Sequence, residues 1–105
     1  MRREKQILDE LRARYGKGQV RGLRLGIGDD AALLRAPAGF ELVVTTDLFL
    51  EQVHFRRDWM SARAAGAKAV ARALSDVAAM GAISRFVFLS VAVPRKLSGR
   101  WLEEF

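Results

Sequence analysis

Residues 61–82 read SARAAGAKAVARALSDVAAMGA, and the reading of that run decides the fold. Ser61 is a preferred helix N-cap, and Val70, Leu74 and Val77 recur at i, i+4 and i+7, one stripe of a 3.6-residue period. Gly81 closes the helix. Its many alanines permit close packing against a sheet. Two apolar runs flank it, FELVVTTDLFL (40–50) and FVFLSVAV (86–93), the second ended by Pro94. Both are rich in β-branched and aromatic residues and read as strands, apolar on both faces. An α/β (α+β) fold is expected, with a mixed or antiparallel sheet and helices on one face.

Working outward, residues 3–15 place Ile7, Leu8, Leu11 and Tyr15 on one helical face, ended by Gly16 and Gly18. Residues 17–25 read as a basic, glycine-containing loop. Residues 31–35 are too short for a helix before Pro37 and read as a strand, followed by a turn at 37–39. Residues 51–55 read as extended, with Val53 and Phe55 facing one way and Gln52 and His54 the other. Ser98 is expected to cap a last helix in GRWLEEF, which stops mid-element, so the sequence reads as truncated. One long helix and one shorter one are too few to cover two doubly apolar strands. A second copy or another sheet is expected on the remaining face.

The chain has 105 residues, and one domain is the expectation. Half the residues are hydrophobic, which argues against disorder. There is no cysteine, so disulfides and thiolate metal sites are excluded. No run approaches the ~18 apolar residues of a membrane span, and MRREKQILDEL has no apolar signal core. A cytoplasmic protein without membrane contact is expected. Eighteen basic and twelve acidic residues give a formal charge of +6. Such a balance favours polyanions or phosphorylated small molecules. The arginines are scattered and form no stripe with interleaved aromatics, so nucleic acid is not the expected partner.

The stretch GIGDDAALL (26–34) sets adjacent carboxylates in a glycine loop. Gly26-x-Gly28-x-x-Ala31 formally fits a dinucleotide fingerprint, and Asp47 lies at about the right distance for its acidic residue. Yet residues 32–37 leave no room for the required helix, and no P-loop lysine follows. Magnesium (Mg2+) prefers hard oxygen ligands, often one or two carboxylates plus substrate phosphates. Asp29, Asp30, Asp47 and Asp76 are the candidates. Asp47 is the least comfortable of them, because a carboxylate in an apolar strand needs a hydrogen bond or a cation; Thr45 and Thr46 add oxygens beside it. The structural alternatives are an Asx turn for Asp29 and Asp30, a strand-end cap for Asp47, and an Arg72–Asp76 surface pair on the helix. His54, the only histidine, reads as a partly exposed strand residue.

Taken in order, GIGDDAALL, VVTTDLFLEQVHF and KAVARALSDVAAMGA resemble the N-terminal part of the thiamine-monophosphate kinase family, within the aminoimidazole ribonucleotide synthetase-like superfamily. The resemblance runs from about Leu25 to Pro94. It implies a phosphotransferase that moves the γ-phosphoryl of ATP to thiamine monophosphate, giving thiamine diphosphate, with magnesium between the phosphates and the carboxylates. It implies metal ligation by Asp30, Thr45, Thr46, Asp47 and Asp76, and a substrate contact by His54. No covalent catalytic residue is implied. It also implies a homodimer paired through the sheet, and a partial N-terminal ATP- and magnesium-binding domain over residues 1–105 whose C-terminal domain is absent, inactive alone. TTDLFLEQ departs from the commoner family wording, in which a small polar residue follows the aspartate and a glycine precedes Val-His. The alternatives are a superfamily member with another acceptor, or a non-catalytic module that dimerises or binds polyanions.

Overall fold

The computed structural model describes residues 3–105; Met1 and Arg2, which begin the charged N-terminal stretch, lie outside them. The elements in order are α1 (Glu4–Tyr15), β1 (Leu23–Leu25), β2 (Leu33–Leu34), α2 (Ala62–Ala79), a 3-10 turn (Arg95–Leu97) and α3 (Arg100–Glu104). This is an α+β chain. It divides into two compact units, one ending at Leu42 and the other Val43–Phe105.

In the first unit, α1 begins where the Gln6 side chain accepts the Arg3 backbone N–H at 2.9 Å. Glu4 in the first turn and Arg12 and Arg14 in the last complement the helix dipole. The helix stops at Gly16, whose N–H donates to the Arg12 carbonyl at 2.8 Å. β1 and β2 then pair antiparallel, Leu23 opposite Leu34 and Leu25 opposite Leu33, with an irregularity between. The strand expected at 31–35 is therefore present as Leu33–Leu34. The loop expected over 17–25 is corrected at its end, where Leu23–Leu25 is β1. Three residues of alternation are too short a signal to outweigh the surrounding glycines and charges.

In the second unit, Ser61 accepts the Ala64 N–H at 3.1 Å and starts α2 as expected. Ser61→Ala should cost about 1 kcal/mol, the usual worth of an N-cap; an unchanged thermal midpoint would contradict that role. At the other end Gly81 (φ 66°) donates to the Ala78 carbonyl at 2.9 Å, and Ala82 to the Val77 carbonyl at 3.1 Å. This double closure needs a left-handed residue, which glycine adopts without steric penalty.

The expected stripe Val70–Leu74–Val77 is not the packed face. Ala62, Ala65 and Gly66 are buried, while Val70 and Leu74 are 43% and 44% exposed. Both sets satisfy a helical period, but close approach of another backbone selects the smaller side chains. α2 packs on α3, and the Phe105 carbonyl occupies the space a Cβ at position 66 would need.

Two expected strands are corrected. Residues 40–50 and 86–93 form no strand among the described residues. A ladder needs a hydrogen-bonded neighbour, and strand propensity itself reports packing on such a neighbour. Within this single chain the two runs are not buried on both faces: Leu48 is 69% and Val87 71% exposed. Among the described residues no large apolar side chain is fully buried.

Residues 51–55 are a turn, not an extended continuation. The Leu50 carbonyl accepts the His54 N–H at 2.8 Å, and Gln52 (φ 69°) donates to the Phe55 carbonyl at 2.7 Å. The alternating faces assigned to Gln52–Phe55 are lost accordingly. Ser98 is corrected too. It ends the 3-10 turn, its Oγ donating to the Arg95 carbonyl at 2.7 Å, and Gly99 takes the N-cap position of α3.

Candidate functional site

The segment carrying Thr45, Thr46 and Asp47 borders a cavity of about 160 Å³ within the second unit. Its opposite walls are residues 87–94, the Ala69–Ala73 stretch of α2, and Trp101 of α3. The small face of α2 thus does two things. It lets α3 approach at Gly66, and one turn further on it leaves open space that no bulky side chain fills. The cavity's polar lining residues include Thr45, Thr46, Asp47, Glu51 and Arg72. Thr45 is half-buried, whereas Thr46 and Asp47 are exposed.

Beside the cavity runs a stack of rings. Phe49 lies 5.0 Å from Phe55 between ring centroids, Phe55 6.1 Å from Trp101, and Trp101 5.3 Å from Phe105, all within 24° of parallel. Offset stacks of this kind contribute about 0.5–1.5 kcal/mol per pair beyond the area they bury. They join the 45–55 segment to α3 without a sheet. Signals for them existed in the sequence, as aromatics at 49, 55, 101 and 105, but no periodicity links residues so far apart.

His54 extends the stack, 5.9 Å from Phe49. Its Nδ1 accepts the Leu50 backbone N–H at 3.0 Å, which closes the turn and leaves the neutral ring's proton on Nε2. Lys68 Nζ donates to the His54 carbonyl at 2.5 Å, tying the turn to α2. The imidazole is thus oriented by its own loop, with Nε2 as its one remaining polar atom. It does not line the cavity.

Of the residues singled out from the sequence, Thr45, Thr46 and Asp47 share one cavity wall. Asp76 is exposed on α2, one turn beyond Arg72, outside the cavity lining. The expected Arg72–Asp76 pair does not form among the described residues; the Arg72 guanidinium lies instead over the Phe49 ring, 5.8 Å from its centroid. Asp30 belongs to the other unit. There the Asp29 side chain accepts the Asp30 N–H at 2.8 Å, which bends the loop locally. Among the described residues, no three histidine or acidic side chains converge as a preformed metal cage. One carboxylate beside two hydroxyls is a partial set of hard oxygen donors, of the kind that suits a magnesium ion shared with phosphate.

Sequence matches extend this picture. Residues 28–105 match the family model described as AIR synthase related protein, N-terminal domain. A thiamine-monophosphate kinase of Bacillus subtilis is 47% identical over 72 residues, 69% of this chain and 22% of that protein. Those of Haemophilus influenzae and Buchnera aphidicola (from Acyrthosiphon pisum) are each 37% identical, covering 91% and 97% of this chain and 30% and 31% of theirs. The chain therefore spans less than a third of the length of these relatives. No solved structure matches it. No helix among the described residues is long and apolar enough to cross a membrane.

Proposed function

Because this chain belongs to the AIR synthase related family through its N-terminal domain, we propose that it is part of a kinase that uses ATP to phosphorylate thiamine monophosphate, giving thiamine diphosphate. The observation that carries the reading is the shared cavity wall of Thr45, Thr46 and Asp47 in a chain whose relatives bear that kinase's name.

In this reading Asp47, with Thr45 and Thr46, would hold magnesium beside the cavity, and Asp30, in the other unit, and Asp76 would each serve as ligands of further magnesium. Bound there, magnesium would supply charge neutralisation for phosphoryl transfer. The protein's task is then mainly positioning. A phosphate oxygen of thiamine monophosphate attacks the γ-phosphorus, that P–O bond forms, and the bond from the γ-phosphorus to the β–γ bridging oxygen breaks, releasing ADP. The attacking oxygen is already anionic, so no strong general base is required. His54, fixed by its Nδ1 bond, would offer Nε2–H to the substrate phosphate. The residues present make up part of the site, and the relatives' remaining length would supply the rest.

The homodimer belongs to the same proposal. Val43, Val44 and Leu48 in one segment and Val87, Phe88 and Leu89 in the other are all exposed, and the same segments of a second copy would cover them. A cytoplasmic setting is part of the proposal as well.

An acceptor panel tests the function. The full-length protein should release ADP from ATP in the presence of thiamine monophosphate. ATP consumption dependent on an aminoimidazole precursor or on selenide, with none dependent on thiamine monophosphate, would assign it to another branch of the family.

A further inference from the structure

Arg72 is the one described residue carrying a buried side-chain nitrogen without a hydrogen-bond partner, at Nη1. A guanidinium keeps its charge at every physiological pH. Burying part of it unpaired is costly, and such an atom calls for a partner. The packing around it explains how the position is held but supplies no acceptor. Arg72 comes from the small face of α2, where Ala65, Ala69 and Ala73 make way for a long side chain. Its planar group rests over Phe49, which fixes its orientation. Asp76, one turn along, is not engaged by it.

Arg72 also lines the cavity that Thr45, Thr46 and Asp47 border from the opposite segment. A cavity lined by Arg72 on one wall and on another by Asp47, two threonines and a Glu51 already paired with Arg57 suits a ligand that carries negative charge yet brings a cation with it. A phosphate group accompanied by a metal ion has that character. A free carboxylate would satisfy Arg72 but meet Asp47 unfavourably; an organic cation would do the reverse. Guanidinium also matches phosphate oxygens two at a time, which an ammonium cannot.

We propose that Arg72 is a phosphate-binding residue of this cavity, its guanidinium donating to the oxygens of a phosphate group whose metal ion is held by Asp47. This rests on the kinase reading for the identity of the phosphate, which belongs to the nucleotide or to thiamine monophosphate. It departs from the surface pairing that the helix spacing suggests.

The test uses the full-length protein, with Arg72→Gln and Arg72→Lys beside the wild type. Binding of magnesium–ADP, thiamine monophosphate and magnesium–pyrophosphate is measured separately by calorimetry, with thermal midpoints recorded for each variant. Arg72→Gln should weaken at least one of these ligands tenfold or more, and Arg72→Lys should recover part of the loss by restoring charge. Loss with ADP alone or thiamine monophosphate alone identifies whose phosphate is held. Pyrophosphate needs neither the adenine nor the thiamine pocket, so its loss in Arg72→Gln supports the assignment even if thiamine monophosphate proves not to be a substrate. Equal affinities in wild type and Arg72→Gln for all three ligands would overturn it, whatever the midpoint does. A lowered midpoint with full phosphate affinity would likewise reduce Arg72 to a packing residue.

Discussion

Replacing Asp47 with asparagine in the full-length protein is expected to lower phosphorylation of thiamine monophosphate about 100- to 1000-fold, with the thermal midpoint nearly unchanged. The magnitude is that of removing one preorganised electrostatic group from a site where charge develops. Asparagine keeps the shape and one carbonyl oxygen but loses the negative charge that holds a divalent cation. The fold should not notice. Asp47 is exposed and makes no ion pair or hydrogen bond among the described residues, and exposed substitutions of that kind usually fall within about 0.5 kcal/mol. The two readouts together separate a site residue from a structural cap: activity falls while stability stays. A variant with wild-type turnover, or one that loses activity only by unfolding, would remove Asp47 from the site.

Gly66→Ala is expected to lower stability by about 1–3 kcal/mol, the usual cost of overpacking a tight contact. The sign is what makes this informative. At an exposed interior helix position the same change would stabilise by up to about 1 kcal/mol, because alanine is the better helix former. Here the added methyl would land on the Phe105 carbonyl. The chain must then move α3 away from α2, which also disturbs the Trp101–Phe105 ring pair. Thermal unfolding followed by tryptophan emission measures both effects. A raised midpoint would mean that the end of α3 does not rest on Gly66.

The helices were readable because their signals are local. Ser61 and Gly81 lie within one turn of the ends they close, and α1 stops at Gly16 as its pattern predicts. Residues 40–50 and 86–93 were not, because a strand is completed by a neighbour that its own residues do not specify. Their composition reports an appetite for burial, and their exposed valines and leucines show that appetite unmet. Gln52–Phe55 failed for a different reason. Alternation cannot register a side chain that bonds its own backbone, as His54 does at Leu50.

In the site, the Thr45–Asp47 group was legible through chemistry rather than period. A carboxylate inside an apolar strand needs a reason, whereas Asp47 is exposed, lies in no strand and borders the cavity. Arg72 was overlooked because i, i+4 spacing to Asp76 offered an easier partner. The stronger signal was its place among Ala65, Ala69 and Ala73, where a long cation on a small-residue face must reach across to something. The aromatic stack from Phe49 to Phe105 was invisible for want of any sequence rule joining residues some fifty positions apart.

Phosphorus NMR of the full-length protein with ATP, magnesium and thiamine monophosphate tests the central claim most directly, because ADP release alone does not distinguish a kinase from a synthetase. The γ-phosphorus signal should disappear as the two coupled signals of thiamine diphosphate grow, one for one. Consumption of ATP to ADP and inorganic phosphate, with thiamine monophosphate unchanged, would contradict it.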